Sequence, residues 1–290
     1  MKQILTTKVI LTLAVILAVL LPNPAHYLKD FLIFVLIFML TISIKKVSHE
    51  KLSKEKKWFV TTLVITSTIL LSTLYILFSY VLVSNELYRN ALIIYALMPP
   101  AVGIISLGYL YHVDMQENLY AEFLAYIASL IIIPLGTYIF LREVVSPTEI
   151  LRVIALIIIV PYILSRFVKK LNIKESTTRL MVNICFGIVI YTIIGFNLET
   201  IMQNINDVLE VTLVFVIVRF GLLFLIYYTA KKYLNRNQTI LLTLYGTLKN
   251  GAAATAVVLL VLGPQSTIPL AVEVLFFSFT LILLDYLFKQ

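Results

Sequence analysis

Four ionisable side chains stand inside long apolar stretches of this chain: Glu122, Arg219, Lys249 and Glu273. An ionisable group at membrane depth costs several kcal/mol and is a functional candidate by default. Two acids and two bases can neutralise each other as buried salt bridges, or they can bind a substrate or an ion. The setting of Lys249 points to the second use. It lies at an interruption, Thr247-Leu248-Lys249-Asn250-Gly251-Ala252-Ala253-Ala254, and a matching interruption occurs earlier, Ala96-Leu97-Met98-Pro99-Pro100-Ala101-Val102-Gly103. A shift of 151 residues lays Met98 on Lys249, Pro99 on Asn250, Ala101 on Ala252 and Glu122 on Glu273. Backbone freed by Pro or Gly inside a bilayer persists only where it is buried in protein or lines a cavity. Paired interruptions in the two halves of a chain point to the binding site of a secondary transporter.

The chemistry expected there is anion binding. Half-helices that begin at a break aim the positive ends of their dipoles at the membrane centre, and the ammonium of Lys249 adds a full charge. Lysine also gives up its proton readily when desolvated, so titration during transport is a second role for the same residue. Asn250, Pro99 and Pro100 form the expected crossing site with Lys249, while Glu122, Glu273 and Arg219 are expected to compensate charge or couple an ion. Thr66, Ser67, Thr68, Ser106, Asn183, Thr243 and Thr247 are weaker cavity-lining candidates, because Ser and Thr are common packing residues in membranes. His112, Asp114 and Glu117 are close in sequence but have no third well-spaced His or Cys, and the single Cys185 sits in an apolar run. No metal, cofactor or disulfide is therefore expected.

The elements that must position these residues follow from composition. Apolar residues make up 61% of the 290 and charged residues 13%, which places the chain among polytopic membrane proteins. Windows of roughly 20 apolar residues give ten spans, at 4–21, 27–44, 58–83, 90–112, 118–141, 149–168, 177–195, 208–230, 238–262 and 267–288. Lys2 and Lys8 precede the first span, but Leu21-Pro22-Asn23-Pro24 is no small-residue cleavage site, so that span reads as retained. With the N-terminus cytoplasmic, 17 of the 23 basic residues fall on the cytoplasmic side, including the cluster between Lys45 and Lys57. Only Lys29, Arg89, Arg142 and Arg152 fall opposite, together with the acidic Glu199, Asp207 and Glu210. This asymmetry puts both termini in the cytoplasm of a plasma-membrane protein and accounts for the net charge of +8 without nucleic acid. The segment Ser48–Lys57 reads as a topological anchor rather than a lipid- or partner-recognition loop.

Ten spans divide into five and five. Because five is odd, the second half starts on the opposite side, and similar halves become inverted repeats about an axis in the membrane plane. The expected fold is thus all-α and integral to the membrane, with repeats 1–145 and 146–290 and with the fourth and ninth helices broken and crossing.

The string Met98-Pro99-Pro100-Ala101-Val102-Gly103 with Tyr109, Leu110 and Asp114, and the later Lys249-Asn250-Gly251-Ala252-Ala253 with Pro264, Ile268, Pro269 and Leu270, resembles the crossing-helix motifs of the bile acid:sodium symporter superfamily. The resemblance implies secondary transport of organic anions, a panel of helices one, two, six and seven, a core of the other six, and sodium beside the crossing. The chain departs from the family where sodium would bind. Ile104 and Ile105 replace polar ligands, Tyr245 stands at the usual acid, and Lys249 stands at the usual glutamine. Sodium coupling is therefore not expected, and a proton is the alternative coupling ion. The Met-Pro-Pro-Ala-Val string also resembles auxin-efflux-carrier permeases, where it belongs to the second half. The related arsenite exporters use a cysteine at the fourth-helix break, where this chain has Met98.

The reading that results is a secondary active transporter of a small organic anion working by alternating access, not an enzyme. A transport-inactive sensor or scaffold is the rival from another class. An intramembrane enzyme ranks last, since His26, His49 and His112 all fall at interfaces or loops and no paired-Asp or zinc motif lies within a span.

Overall fold

A computed structural model of the chain describes residues 2–43, 54–146, 148, 152–153, 156, 159–169 and 174–289. The basic loop up to residue 53, much of the expected sixth span and Lys170 lie outside the described residues, as does the side chain of Ser106. Among the described residues every regular element is helical. We label the main helices α1 (Lys2–Leu20), α2 (Leu32–Ser43), α3 (Lys54–Ile65 and Leu71–Leu82, joined by a π turn at Thr66–Leu70), α4 (Glu86–Leu97), α5 (Gly103–Tyr111) and α6 (Met115–Leu141). They continue as α7 (Val160–Lys169), α8 (Glu175–Gln203), α9 (Ile205–Phe215 and Gly221–Tyr233, joined by a π turn at Val216–Phe220), α10 (Arg236–Tyr245), α11 (Gly251–Val261) and α12 (Ile268–Lys289).

Among the described residues five helices are long and apolar enough to cross a membrane: Lys56–Leu82, Met115–Leu141, Ser176–Gln203, Ile205–Tyr233 and Pro264–Phe288. They fall on the expected spans 58–83, 118–141, 177–195, 208–230 and 267–288. Their outer faces are as apolar as their cores. Ile131 is 68% exposed and Leu225 60%, an arrangement that water would penalise and lipid does not. The expected spans 90–112 and 238–262 are each two shorter helices, α4 with α5 and α10 with α11.

Short polar side chains set where these helices begin. The Asn85 carboxamide oxygen accepts the N–H groups of Leu87 (3.0 Å) and Tyr88 (3.4 Å) at the start of α4, and Asn235 accepts that of Gln238 (3.0 Å) at the start of α10. Asp114 accepts from Gln116 and Glu117 at the start of α6. Each satisfies donors that the first turn leaves without a partner. Helix α5 stops at His112, whose left-handed φ of 56° turns the chain.

The element order from α3 to α6 returns from α9 to α12. The π turns start 150 residues apart, and so do the capping asparagines Asn85 and Asn235. Packing partners return as well: α3 lies on α4 and α6, as α9 lies on α10 and α12, while α4 meets α11 as α10 meets α5. Helices α1, α2, α7 and α8 pack with one another, and they meet the remainder chiefly through α8 on α12 and α2 on α11. Within that group Gly195 of α8 lets the segment between α1 and α2 approach closely, since a Cβ there would sit 2.6 Å from Ala25 Cβ.

Where α3 and α6 begin, Lys56 Nζ lies 2.5 Å from Asp114 Oδ2. Partial burial alone would raise the Asp114 carboxyl, but the Lys56 ammonium and the N–H groups of Glu117 and Gln116 hold it below its ordinary value. A depressed carboxylate stabilises the fold above its unfolded value, and that contribution is lost as pH falls through the folded value. Asp114→Asn keeps a capping oxygen and loses the ion pair, so it should lower stability by about 0.2–1 kcal/mol. Asp114→Ala also removes the cap and should cost about 1 kcal/mol more. Melting of purified protein in detergent at neutral pH checks both, and equal effects of the two changes would show that the cap contributes nothing.

Candidate functional site

The site lies where helical backbone stops twice. Between α4 and α5 the chain is extended at Met98, with φ −65° and ψ 155°, because Pro99 and Pro100 follow. Between α10 and α11 it runs from Gly246 to Asn250. The two segments meet as an antiparallel bridge between Pro100 and Lys249. The Asn250 N–H donates to Pro99 O (2.9 Å) and the Ala101 N–H donates to Leu248 O (3.3 Å). Pro99 and Pro100, which have no N–H, thus supply acceptors and ring bulk only. Helices α5 and α11 both begin beside this bridge, so their positive ends converge on it.

Lys249 is 1% exposed. Its ammonium donates to Met98 O (2.8 Å) and to Ser72 Oγ (2.8 Å), and Ser72 in turn donates to Ala96 O (2.6 Å). Lys249 and Ser72 together satisfy carbonyls at the C-terminal end of α4, where helix dipole and bare oxygens both favour a cation. The sequence left Lys249 either to bind substrate directly or to pair with Glu122 or Glu273 when the site is empty. The structure gives it carbonyl and hydroxyl acceptors.

Glu273 belongs to Arg219. Arg219 Nη2 lies 2.5 Å from Glu273 Oε1 and 2.5 Å from Tyr95 Oη, and Nη1 donates to Glu273 O at 3.3 Å. Tyr95 also donates to Glu273 Oε1 (3.4 Å). The guanidinium carbon is 5.3 Å from the Phe215 ring centroid, and Tyr75, Tyr95 and Phe215 pack as a mutual trio with centroids 5.1 to 5.6 Å apart. Arg219 is fully buried, and it is the delocalised, weakly hydrated cation best suited to such a place. Gly251, the first residue of α11, leaves room for this carboxylate: a Cβ there would collide with Glu273 Oε2. Glu273 thereby covers the N-terminal end of α11.

Glu122 has no such partner. Its Oε2 accepts from Tyr245 Oη (3.2 Å), while no described group donates to its buried Oε1. Tyr245 Oη also faces Asn118 O (2.8 Å) and Asn118 Oδ1 (3.0 Å). Nearby, Tyr126 Oη accepts from Asn250 Nδ2 (2.7 Å), and Asn250 Oδ1 caps Ala253 N–H (3.0 Å). Thr247 lies at the break but spends its hydroxyl on Thr243 O (2.6 Å), one turn back. Ile104 and Ile105 are buried. Among the described residues no group of three or more His, Cys, Asp or Glu could hold a metal ion.

The expected residues therefore divide into three clusters joined at the bridge: Lys249 with Ser72, Glu273 with Arg219 and Tyr95, and Glu122 with Tyr245. Sequence reasoning missed Tyr95, Ser72, Asn118 and Tyr126. Tyr95 carried a signal, since it lies 150 residues before Tyr245. Ser72 carried none.

No known family model matches this chain, and no curated protein matches it.

Removing one member of a buried ion pair strands the other charge at a cost of about 3–5 kcal/mol, whereas removing both is often nearly neutral. Arg219→Met should therefore abolish or strongly lower folded yield, and Arg219→Met with Glu273→Gln should restore most of it. Lys249→Met strands carbonyl oxygens rather than a carboxylate and should cost about 1–3 kcal/mol. Adding Glu122→Gln or Glu273→Gln should not recover that loss. Recovery by either acid change, read as detergent melting temperature, would show that Lys249 is paired with that acid.

Proposed function

We propose that this chain is a ten-span secondary transporter, built as two inverted five-helix repeats, that carries a small organic anion by alternating access. The observation that carries this reading is the Pro100–Lys249 bridge: two interrupted segments, two helix N-termini and a buried ammonium meet at one place. Irregular backbone of this kind is retained at membrane depth where it serves a binding site. The repeat is supported by the returning order of π turn, capping asparagine, short helix, break and long helix. In this reading the fourth and ninth spans are α4 with α5 and α10 with α11.

The two N-terminal ends are unequal. Glu273 already covers α11, whereas a Cβ placed on Gly103 at the start of α5 would meet only Phe277 Cζ, at 3.9 Å. The anion is accordingly assigned to the α5 side of the bridge, facing Lys249 and Asn250. Helices α1, α2, α7 and α8 would form the panel and the other helices the moving core, an arrangement that fits their mutual packing and the resemblance of the break motifs to the bile acid:sodium symporter superfamily. The hydrophobic Ile104 and Ile105, with Tyr245 and Lys249, disfavour sodium as the coupling ion and leave a proton. Both termini are assigned to the cytoplasm and the protein to the plasma membrane, on the basic-residue asymmetry.

A second reading, a transport-inactive sensor or scaffold, is favoured by one observation: Lys249 commits two of its three donors to Ser72 and Met98 O. Counterflow separates the two. Proteoliposomes preloaded with small mono- and dicarboxylates should accumulate the labelled anion without sodium, and an imposed pH gradient should alter the rate. Lys249→Met should reduce uptake at least tenfold in protein that still melts cooperatively. Absence of counterflow for every carboxylate would favour the scaffold, and saturable dependence on sodium would overturn the coupling assignment.

A further inference from the structure

The two halves place the same tyrosine–glutamate pair on either side of the bridge. Tyr95 meets Glu273, and Tyr245, 150 residues after Tyr95, meets Glu122, 151 residues before Glu273. Their surroundings differ in one respect. Around Glu273 the donors are Arg219 Nη1, Arg219 Nη2 and Tyr95 Oη. Around Glu122 a single hydroxyl, that of Tyr245, is shared among three acceptors: Asn118 O, Asn118 Oδ1 and Glu122 Oε2. One O–H serves one acceptor at a time. The buried Glu122 Oε1 receives nothing from any described residue. At the 150-residue register of the two π turns the position of Arg219 is taken by Ile69, and at the 151-residue register of the two glutamates by Thr68, whose hydroxyl donates to Val64 O (2.6 Å) on its own helix.

Among the described residues no charge faces Glu122 from the elements packed on α6, and the other acid of α6, Glu117, belongs to its first turn. On α6 itself its near neighbours are Asn118 and Tyr126, one turn before and after. The charged residues of α3 lie in its first turn, and Lys56 is tied to Asp114, eight residues before Glu122 and about 12 Å away by helix rise. Helix α5 has no acid or base, nor does the π turn Thr66–Leu70. Those of α4, Glu86 and Arg89, belong to its first turn, at the end away from the break. Helix α10 has only Arg236, at its far end, where it donates to Tyr111 O and Phe288 O. The pocket therefore holds a surplus of acceptors and lacks a donor.

We propose that Glu122 is the proton-carrying group of this protein, its Oε1 binding and releasing one proton, while the Glu273–Arg219 pair stays ionised and serves as a fixed structural bridge. This rests on the transporter reading and deepens it by assigning the coupling site. Protonation turns the carboxylate into a hydroxyl donor and frees the Tyr245 hydroxyl for Asn118. Tyr126, on the same face of α6 as Glu122, carries the change to the bridge, because its hydroxyl holds Asn250 Nδ2 and Asn250 caps α11. The proton enters from one aqueous side with the core in one position and leaves to the other side with the core in the second. No other bond forms or breaks.

The test is infrared difference spectroscopy of the purified, detergent-solubilised full chain across a pH titration, which reads protonated carboxyl groups without any substrate. Wild type should show a protonated-carboxyl C=O band that bleaches as pH rises. Glu122→Gln should lose it, Glu122→Asp should shift it, and Arg219→Met with Glu273→Gln should keep it. A band that persists in Glu122→Gln, a band lost in the Arg219/Glu273 double variant, or no titrating carboxyl band in folded wild type would each overturn the assignment. So would bleaching by sodium at constant pH, which would make the group a metal-ion ligand. Counterflow reports on the transporter reading separately, so a titrating Glu122 band without counterflow would sink that reading and leave the proton site in place.

Discussion

The architecture depends on satisfying buried backbone groups where helical structure stops twice among apolar helices. Water satisfies such groups in a soluble protein, but hydrocarbon offers them nothing, and each left bare costs several kcal/mol. Here the two interruptions satisfy each other. Pro99 O and Leu248 O take the N–H groups of Asn250 and Ala101, and the carbonyls still exposed at the end of α4 take Lys249 Nζ and Ser72 Oγ. Neither break can exist without the other. That mutual dependence explains why a change at either segment should be felt across both halves, and why the long helices α3, α6, α9 and α12 surround the bridge.

Charge is handled by the same economy. Of the four ionisable groups inside the apolar stretches, three are accounted for by geometry: Arg219 and Glu273 by each other and Tyr95, and Lys249 by the negative end of α4. Placing an ammonium on a helix C-terminus and a carboxylate over a helix N-terminus uses both dipole ends as counter-charges. The fourth, Glu122, has neutral neighbours among the described residues and an unmatched carboxylate oxygen. The two glutamates, 151 residues apart and each beside a tyrosine, thus differ in charge environment: one faces a guanidinium, the other a lone hydroxyl.

Much of this was legible in the sequence, for physical reasons. The five long spans follow from apolar length alone, and the breaks follow from Pro99, Pro100 and Asn250-Gly251 inside apolar runs, because Pro lacks a donor and Gly weakens a helix wherever it falls. The 151-residue correspondence placed Glu122 and Glu273 in equivalent positions. What sequence did not yield was pairing. Lys249 could reach either acid by charge reasoning, yet it caps α4, a partner that exists only after the breaks have crossed. Helix periodicity does not distinguish a π turn from ordinary α-helix, so the extra residues at Thr66–Leu70 and Val216–Phe220, which re-aim Thr68 and Arg219, left no trace in the pattern.

Tyr95 and Tyr245 show where the two kinds of reasoning join. Each ends the helix before a break, and each turns its hydroxyl to a carboxylate on a long helix of the other half. A tyrosine there does what water would do in an aqueous site: it offers one proton and one acceptor from a rigid ring, without wetting the core. At Glu273 that hydroxyl supplements an arginine and the carboxylate is fixed. At Glu122 it stands alone against three acceptors. The contrast between the fixed ion pair and the partly unmatched carboxylate thus comes down to what stands beside each tyrosine: a guanidinium at Glu273 and, among the described residues, no charged group at Glu122.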